Sequence, residues 1–298
     1  MCRKLLPLCL AVVVAFLASV GIWGAPERPY VVVAAGDVAC SPEIPRMESA
    51  CRDADTAAFL EGADAVLMLG DGQYPDGALG RYRAAYHRTW GRYLRITHPV
   101  PGNHEYQTPR ARGYFAYFGD RAGDPEHGYY AFRLGRWLLL ALNSNCWAVE
   151  GCGGGSPQYR WLREVLATSS ARCILAFWHH PLFTAGRYTG FPEVRPFWEL
   201  LQAAGAELVL SGHDHNYQRY APLDSRGRIT PRGIRQFVVG TGGRNLYRLR
   251  PDPLGAREAA TDRSFGVLRL ELWPDGYSWR FLAVGDAQFS DHGSETCR

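Results

Sequence analysis

The sequence predicts an α/β fold, and three observations predict it. Apolar, β-branched runs recur as far as residue 215, each closed by Gly or Pro and polar residues. Amphipathic segments of helical period lie between them. The runs are apolar throughout rather than alternating, which means burial on both faces, as in a sheet covered by helices.

The 298 residues suit one large globular domain, or at most two. Residues 1–25 read as an export signal. Arg3 and Lys4 open it, "LLPLCLAVVVAFLASV" is its apolar core, and Gly21, Gly24 and Ala25 are the small residues near which cleavage is expected. A retained anchor is the alternative, because the apolar stretch is nearly long enough to span a bilayer. Residues 26–298 are then expected to fold outside the cytoplasm, either secreted, periplasmic or extracellular, or tethered through the leader.

The strands expected next are "YVVVAAGD" (30–37), "ADAVLMLGD" (63–71), "THPVPGNHE" (97–105), "RWLLLALNSN" (136–145), "CILAFWHHP" (173–181) and "AELVLSGHDH" (206–215). Helices are expected at 53–62, closed by Gly62, and at 78–95, which is amphipathic. A third spans 156–169, with Ser156 as cap and Pro157 at the first helical position, and a fourth 193–205, closed by Gly205. "GCGGGSP" (151–157) is a loop. After residue 220 the helices stop. "RQFVVGTGG", "FGVLRLELW" and "YSWRFLAVG" read as strands that complete a second sheet packed on the first.

Charge gives little direction. The formal net charge is +4, and outside the leader 31 basic residues face 29 acidic ones, so nothing argues for a nucleic-acid partner or a membrane surface. Cysteine usage gives more. Cys2 and Cys9 belong to the leader, and Cys40, Cys51, Cys146, Cys152, Cys173 and Cys297 remain. An even number in an exported chain implies disulfides. Many connectivities are open. Cys40 with Cys51 and Cys146 with Cys152 make the short loops, which would leave Cys173 for Cys297. No C-x-x-C metal motif occurs.

Polar residues gather at the strand ends. Asp37 follows the first strand, Asp71 the second, Asn103 and His104 the third, His179 and His180 the fifth, and His213 and His215 the sixth. Five of the nine histidines fall there. Strand C-terminal ends share an edge in α/β sheets, and ligands bind in the crevice outside it. A Gly-Asp after one strand is usually a turn or cap; this many in series require another reason. Carboxylate, amide and imidazole together suit two closely spaced metal ions, one carboxylate bridging them. G-x-S-x-G, the P-loop and H-E-x-x-H are absent.

"GDVAC", "GDGQY", "GNHEY", "HHP" and "GHDHNYQR", in that order across residues 36 to 219, resemble the calcineurin-like metallophosphoesterase superfamily, and more narrowly its purple acid phosphatases. The resemblance implies a four-layer αββα sandwich of two mixed sheets flanked by helices. It places Asp37, Tyr74 and His215 on one metal and Asn103, His179 and His213 on the other, with Asp71 between them. His179 rather than His180 is the ligand, because Pro181 fixes the His-x-Pro register; His180 stands behind the ligands or faces the helices. His104 would contact the phosphate, with Asn103, or protonate the leaving oxygen.

The first motif carries Ala39 where most of the superfamily has histidine, and Tyr74 replaces it, as in the purple acid phosphatases. A phenol with a pKa near about 10 binds as phenolate only to a strong Lewis acid. Ferric iron is therefore expected, with Fe2+, Zn2+ or Mn2+ beside it. Tyr217 and Arg219 are expected to buttress the histidine loop. The family's histidine after His-x-Pro is missing here, and Arg187, on a loop between Gly186 and Gly190, is the candidate phosphate contact in its place. The N-terminal β-sandwich of plant members is not expected in these residues.

The expected activity is hydrolysis of a small phosphomonoester by a hydroxide generated at the metals. A phosphodiesterase or nucleotide hydrolase on the same site is the alternative, and a non-catalytic binding protein the more distant one. Tyr114, Phe115, Tyr117, Tyr188 and Phe191 are candidate rim aromatics for a base or aryl group.

Overall fold

The computed structural model describes residues 28–43, 51–285 and 289–298; the expected export signal lies outside them. Thirteen strands run through the described residues. They are β1 (Tyr30–Ala35), β2 (Ala65–Leu69), β3 (Thr97–Val100), β4 (Tyr130–Leu134), β5 (Trp137–Ala141), β6 (Cys173–Phe177) and β7 (Leu208–Ser211), then β8 (Tyr217–Tyr220), β9 (Arg235–Val239), β10 (Arg257–Thr261), β11 (Gly266–Trp273), β12 (Gly276–Ala283) and β13 (His292–Thr296). The helices are α1 (Asp53–Ala57), α2 (Leu79–Ala84), α3 (Arg112–Phe118), α4 (Pro157–Thr168) and α5 (Arg195–Ala203), with short 3-10 turns between.

The strands form two mixed sheets, in the orders β13-β12-β11-β1-β2-β3 and β10-β8-β9-β7-β6-β5-β4. The expected apolar strands are shared out three to each sheet. The C-terminal strands do not make a second sheet of their own: β9 pairs in parallel with β7, while β11 and β12 extend the first sheet from β1. Local pattern could not distinguish these outcomes, since β1 pairs Val33 with Arg269, far along the chain.

Side-chain alternation builds the layers. In the second sheet Trp137, Leu139, Leu175, Phe177, Leu208 and Leu210 face the first sheet and share one core with it. Leu138, Leu140, Ile174, Ala176 and Val209 face the other way, onto Leu162 of α4 and Phe197, Trp198 and Leu201 of α5. The period of two along each strand makes this division. Burying these side chains stabilises the sandwich by roughly 1.5–3 kcal/mol for each large aliphatic or aromatic group.

Ser156 caps α4, accepting from Tyr159 N at 3.2 Å, as the Ser-Pro start implies. The segment expected as one helix at 78–95 is broken. Ala85 (φ −120°, ψ −75°) and Thr89 (φ −116°, ψ −96°) leave helical space, and 3-10 turns follow. Tyr82, Tyr86 and Trp90 nevertheless all bury fully, so the apolar stripe is satisfied without a continuous helix. Three disulfides join Cys40–Cys51, Cys146–Cys152 and Cys173–Cys297. No helix among the described residues is long and apolar enough to cross a membrane.

Candidate metal centre

The ends of β1, β2, β3, β6 and β7 meet at one edge of the sandwich. Backbone bonds lace the sheets there: Gly36 N donates to Val239 O at 2.9 Å, and Gly242 N to Gly36 O at 2.9 Å. Asp37, Asp71 and His213 take positive φ (60°, 49° and 68°) at the turns leaving their strands. Asp and His tolerate that region better than most residues, at some cost in strain. Gly212 is required where it stands, because a Cβ would lie 2.7 Å from Asp37 Oδ2.

Seven side chains converge there. Tyr74 Oη, with one hydrogen to give, lies 2.8 Å from Asp37 Oδ1, 2.9 Å from Asp71 Oδ2 and 3.0 Å from His215 Nε2. His215 Nε2 is 3.1 Å from Asp37 Oδ1, and His179 Nε2 is 3.4 Å from Asp71 Oδ2. His179 Nε2 also sits 3.2 Å from Asn103 Oδ1 and 3.2 Å from His213 Nδ1. The far nitrogens are committed. His179 Nδ1 donates to Leu69 O at 2.8 Å and His215 Nδ1 to Asn245 O at 2.7 Å. A carbonyl only accepts, so each Nδ1 carries a hydrogen and each ring turns its Nε2 inward, where it can serve as a metal ligand.

That donor set fits metal ions. Asn103 Oδ1 and His213 Nδ1 each lie 3.2 Å from His179 Nε2, and all three atoms can ligate a metal. Asp37 and Asp71 are fully buried (0% and 2% exposed), and among the described residues neither has an Arg partner. Buried charges without a cation are costly. The histidines are the available substitutes: burial opposes a charge on His179, but Asp71 and Asp37 prevail and push its pKa up to about 9. Burial, and then the charge of His179, push the His213 imidazole down to about 3. Burial raises the Tyr74 phenol well above its ordinary value, and the charges of Asp37 and Asp71 add to it. Only a strong Lewis acid would convert it to phenolate. Asp37, Asp71 and His179 can hold one ion among them, and His179 and His213, with His180, another.

His104 stands at the open side. Its Nδ1 bonds to Pro75 O, its Nε2 lies 3.8 Å from Asp71 Oδ2, and its ring packs 4.4 Å from that of Tyr74. Asp71 Oδ1 accepts from His104 N at 2.9 Å. His180 lies behind His213, with ring centroids 4.4 Å apart, and its Nδ1 meets Ser144 Oγ at 2.8 Å. Tyr217 and Arg219 point away from the centre. Both bind Asp291, the guanidinium in bidentate fashion at 2.8 and 2.9 Å.

Of the candidate rim aromatics, Tyr114 and Phe115 are buried in the core and Tyr117 stacks on Tyr82; these three pack the fold. Tyr188 does reach the centre, stacked 4.2 Å from His213, and Phe191 lies 4.7 Å from His180. Arg187 is exposed beside them, held by a bond from its N to Asp214 Oδ1 at 3.0 Å. With His213, Tyr188 and Phe191 it lines a cavity of 260 Å³.

One segment escaped sequence reasoning. The loop after β9 supplies Asn245 to orient His215, Tyr247 stacked on His215 at 3.9 Å, and Arg244 over the Tyr74 ring at 5.3 Å. The signal was "GTGG" after an apolar run, the same pattern as the other strand ends, but without a histidine or carboxylate to mark it.

Motif residues at the ends of β1, β2, β3, β6 and β7, on two sheets laced at one edge, define a metallophosphoesterase scaffold. The chain belongs to the calcineurin-like phosphoesterase family, whose family model matches residues 10–217. It is 27% identical over 230 residues to purple acid phosphatase 15 of Arabidopsis thaliana, an alignment covering 63% of this chain and 42% of that protein. It is 26% identical over 232 residues to a nucleotide pyrophosphatase/phosphodiesterase of Hordeum vulgare, covering 63% and 59%. The chain thus spans about half the length of these relatives. The purple acid phosphatase PPD1 from yellow lupin (Lupinus luteus) seeds shares the fold, with a TM-score of 0.74 at 18% identity over 92% of this chain and 54% of that one. So does GAP50, the anchor in the inner membrane complex of Plasmodium, at 0.66 and 12%, over 91% and 90%.

Proposed function

We propose that this protein is an exported dinuclear-metal phosphoester hydrolase acting on phosphomonoesters. The observation that carries the reading is the convergence of seven side chains able to ligate metal, two of them buried carboxylates. Asp37, Tyr74 and His215 would hold one ion, Asn103, His179 and His213 the other, and Asp71 both. When bound, ferric iron with Fe2+, Zn2+ or Mn2+ would supply Lewis acidity that offsets phosphoryl charge and lowers the pKa of water. The three disulfides support export.

The chain's own residues do the rest. Leu69 O and Asn245 O fix the tautomers of His179 and His215, so both present Nε2 inward. His104 Nδ1 is turned to Pro75 O and Gln107 Nε2, which leaves Nε2 on the side of Asp71, where it would give a proton to the leaving oxygen. Arg187 cannot take this role, because a guanidinium does not give up its proton at working pH.

Hydrolysis of an aryl phosphomonoester and of the matching diester by protein reconstituted with iron plus zinc or manganese, with and without chelator, tests the proposal. Chelator-sensitive monoester turnover is expected. Diester-only turnover would move the function to a phosphodiesterase, the reading that the barley relative favours. No turnover with metals bound would overturn both and favour a binding protein.

A further inference from the structure

We propose that the cleft between Trp147 and Tyr106 is a binding site for a neutral polysaccharide, separate from the candidate metal centre. None of the seven candidate ligands lines it, and the inference does not rest on the hydrolase reading.

Trp147 is the most exposed large hydrophobic side chain among the described residues, at 68%, whereas Trp90, Trp137, Trp178 and Trp198 are buried. A lone exposed indole needs no explanation. This one is held in place. It sits in the 3-10 turn Cys146–Ala148, inside the loop that the Cys146–Cys152 disulfide closes. Its ring meets that of Tyr106 edge to face, with centroids 5.3 Å apart and planes at 69°. Tyr106 is fixed in turn. Asn143 Nδ2 donates to its Oη at 2.7 Å, and Asn143 N donates to Gln158 Oε1 at 2.7 Å. The two rings, with Pro109, Pro125 and Val149, wall a cavity of 530 Å³. That lies within the range of about 300–1,000 Å³ of small-ligand sites.

The backbone around the cleft is strained, as it is at the candidate metal centre. Six non-glycine residues among the described ones take positive φ. Asp37, Asp71 and His213 belong to the metal centre. Arg110 (57°), Ala111 (49°) and Glu150 (58°) are the others, and Arg110 and Glu150 line this cleft. Such conformations persist where the surrounding structure imposes them, and they gather at binding sites.

Charge then selects the ligand. Arg110 pairs with Glu126, and His127 Nδ1 lies 3.2 Å from Asp124 Oδ2. With its cations matched by carboxylates, the cleft keeps no positive charge for a phosphate. Glu150, the further acid, is exposed, where solvent screens its pull on a cation. What remains is an aromatic wall with planar donors and acceptors along its rim. The electron-rich face of an indole attracts the C–H face of a sugar ring. The carboxylates, guanidinium and imidazole can exchange hydrogen bonds with its hydroxyls. Export, proposed above, would bring this face to extracellular polysaccharide.

Calorimetric titration of the purified protein, metal-loaded and chelator-treated, tests this. The probes are cellohexaose, laminarihexaose, xylohexaose and chitohexaose, all neutral. At least one should bind with a Kd of about 1 mM or tighter, with or without metal. Trp147→Ala should weaken that binding about tenfold or more, the loss of an aromatic anchor, and leave Tm and aryl phosphate turnover unchanged. Trp273→Ala, at a tryptophan 39% exposed, should leave binding unchanged. No binding of any of the four by the wild type would overturn the proposal. So would equal affinity in wild type and Trp147→Ala, which would put the sugar elsewhere, or loss of binding on chelation, which would put it at the metals. A raised KM for an aryl phosphate in Trp147→Ala, with no sugar bound by the wild type, would overturn it in favour of a leaving-group pocket.

Discussion

Replacing Glu105 by glutamine changes one atom in a carboxylate that is buried under the candidate metal centre (0% exposed). Its Oε2 accepts from Asp71 N at 2.9 Å and Gly102 N at 2.7 Å; its Oε1 accepts from Gly72 N at 3.0 Å and Tyr82 Oη at 2.7 Å. All four partners are donors, so the group is held as the anion although burial and the charge of Asp71 raise its pKa. Glutamine keeps one oxygen. If that oxygen takes the Asp71 and Gly102 amides, the new NH2 faces the Gly72 amide, which is left unpaired, while Tyr82 can turn to accept. An unsatisfied buried N–H costs about 1–3 kcal/mol, and the remaining bonds lose their charge assistance, so about 3 kcal/mol in total is expected. At about 2–4 °C per kcal/mol for a domain of this size, Tm should fall by about 10 °C. Scanning calorimetry measures it on wild type and E105Q, each metal-free and metal-loaded. Because Glu105 fixes the backbone that presents Asp71, metal affinity should also fall by about 10–100-fold, as for other groups that orient ligands. A Tm within about 2 °C of wild type would refute the argument that this carboxylate clamps the strand ends.

Three further outcomes are expected. His104→Ala should retain both metals by elemental analysis while kcat for an alkyl phosphate falls by about 100-fold; loss of metal would make His104 a ligand instead. Tyr74→Phe should abolish the visible phenolate-to-iron charge-transfer band of the ferric-loaded protein, and survival of that band would remove Tyr74 from the ligand set. Away from the site, His98 stacks on Phe132, and burial, with the charge of Arg121, pushes its pKa down to about 4 from 6.5. The folded state therefore resists protonation that the unfolded state accepts, so stability should fall as pH drops from 6.5 toward 4 and then level off, by at most a few kcal/mol. His98→Phe should flatten that part of the Tm–pH curve; an unchanged slope would exclude His98 as its source.

The convergence of the candidate ligands was legible because few residue types can ligate metal, and strand ends restrict position. Asp37, Asp71, Asn103, His179, His213 and His215 sit in turns where either constraint alone is weak and the two together are not. Tyr74 needed the resemblance as well, since an aromatic next to a site is usually packing. Its three contacts inside the centre come from tertiary folding. Arg244 and Tyr247 were invisible for the converse reason: neither residue type marks a metal site, and the β9 turn reaches the centre only because β9 pairs with β7. The division of strands between two sheets was hidden likewise, because β1 meets β11 through the whole intervening chain. Ser156 and Pro157 fixed a helix start locally, whereas the 78–95 stripe fixed which side chains bury and not the backbone that carries them.

Elemental analysis of the reconstituted wild type beside Asp71→Asn is the most direct test of the central claim. Two metal ions per chain are expected in the wild type. The variant, without the carboxylate offered to both ions, should lose most metal and aryl phosphatase activity together. Near-normal metal content and turnover in Asp71→Asn would contradict the dinuclear account.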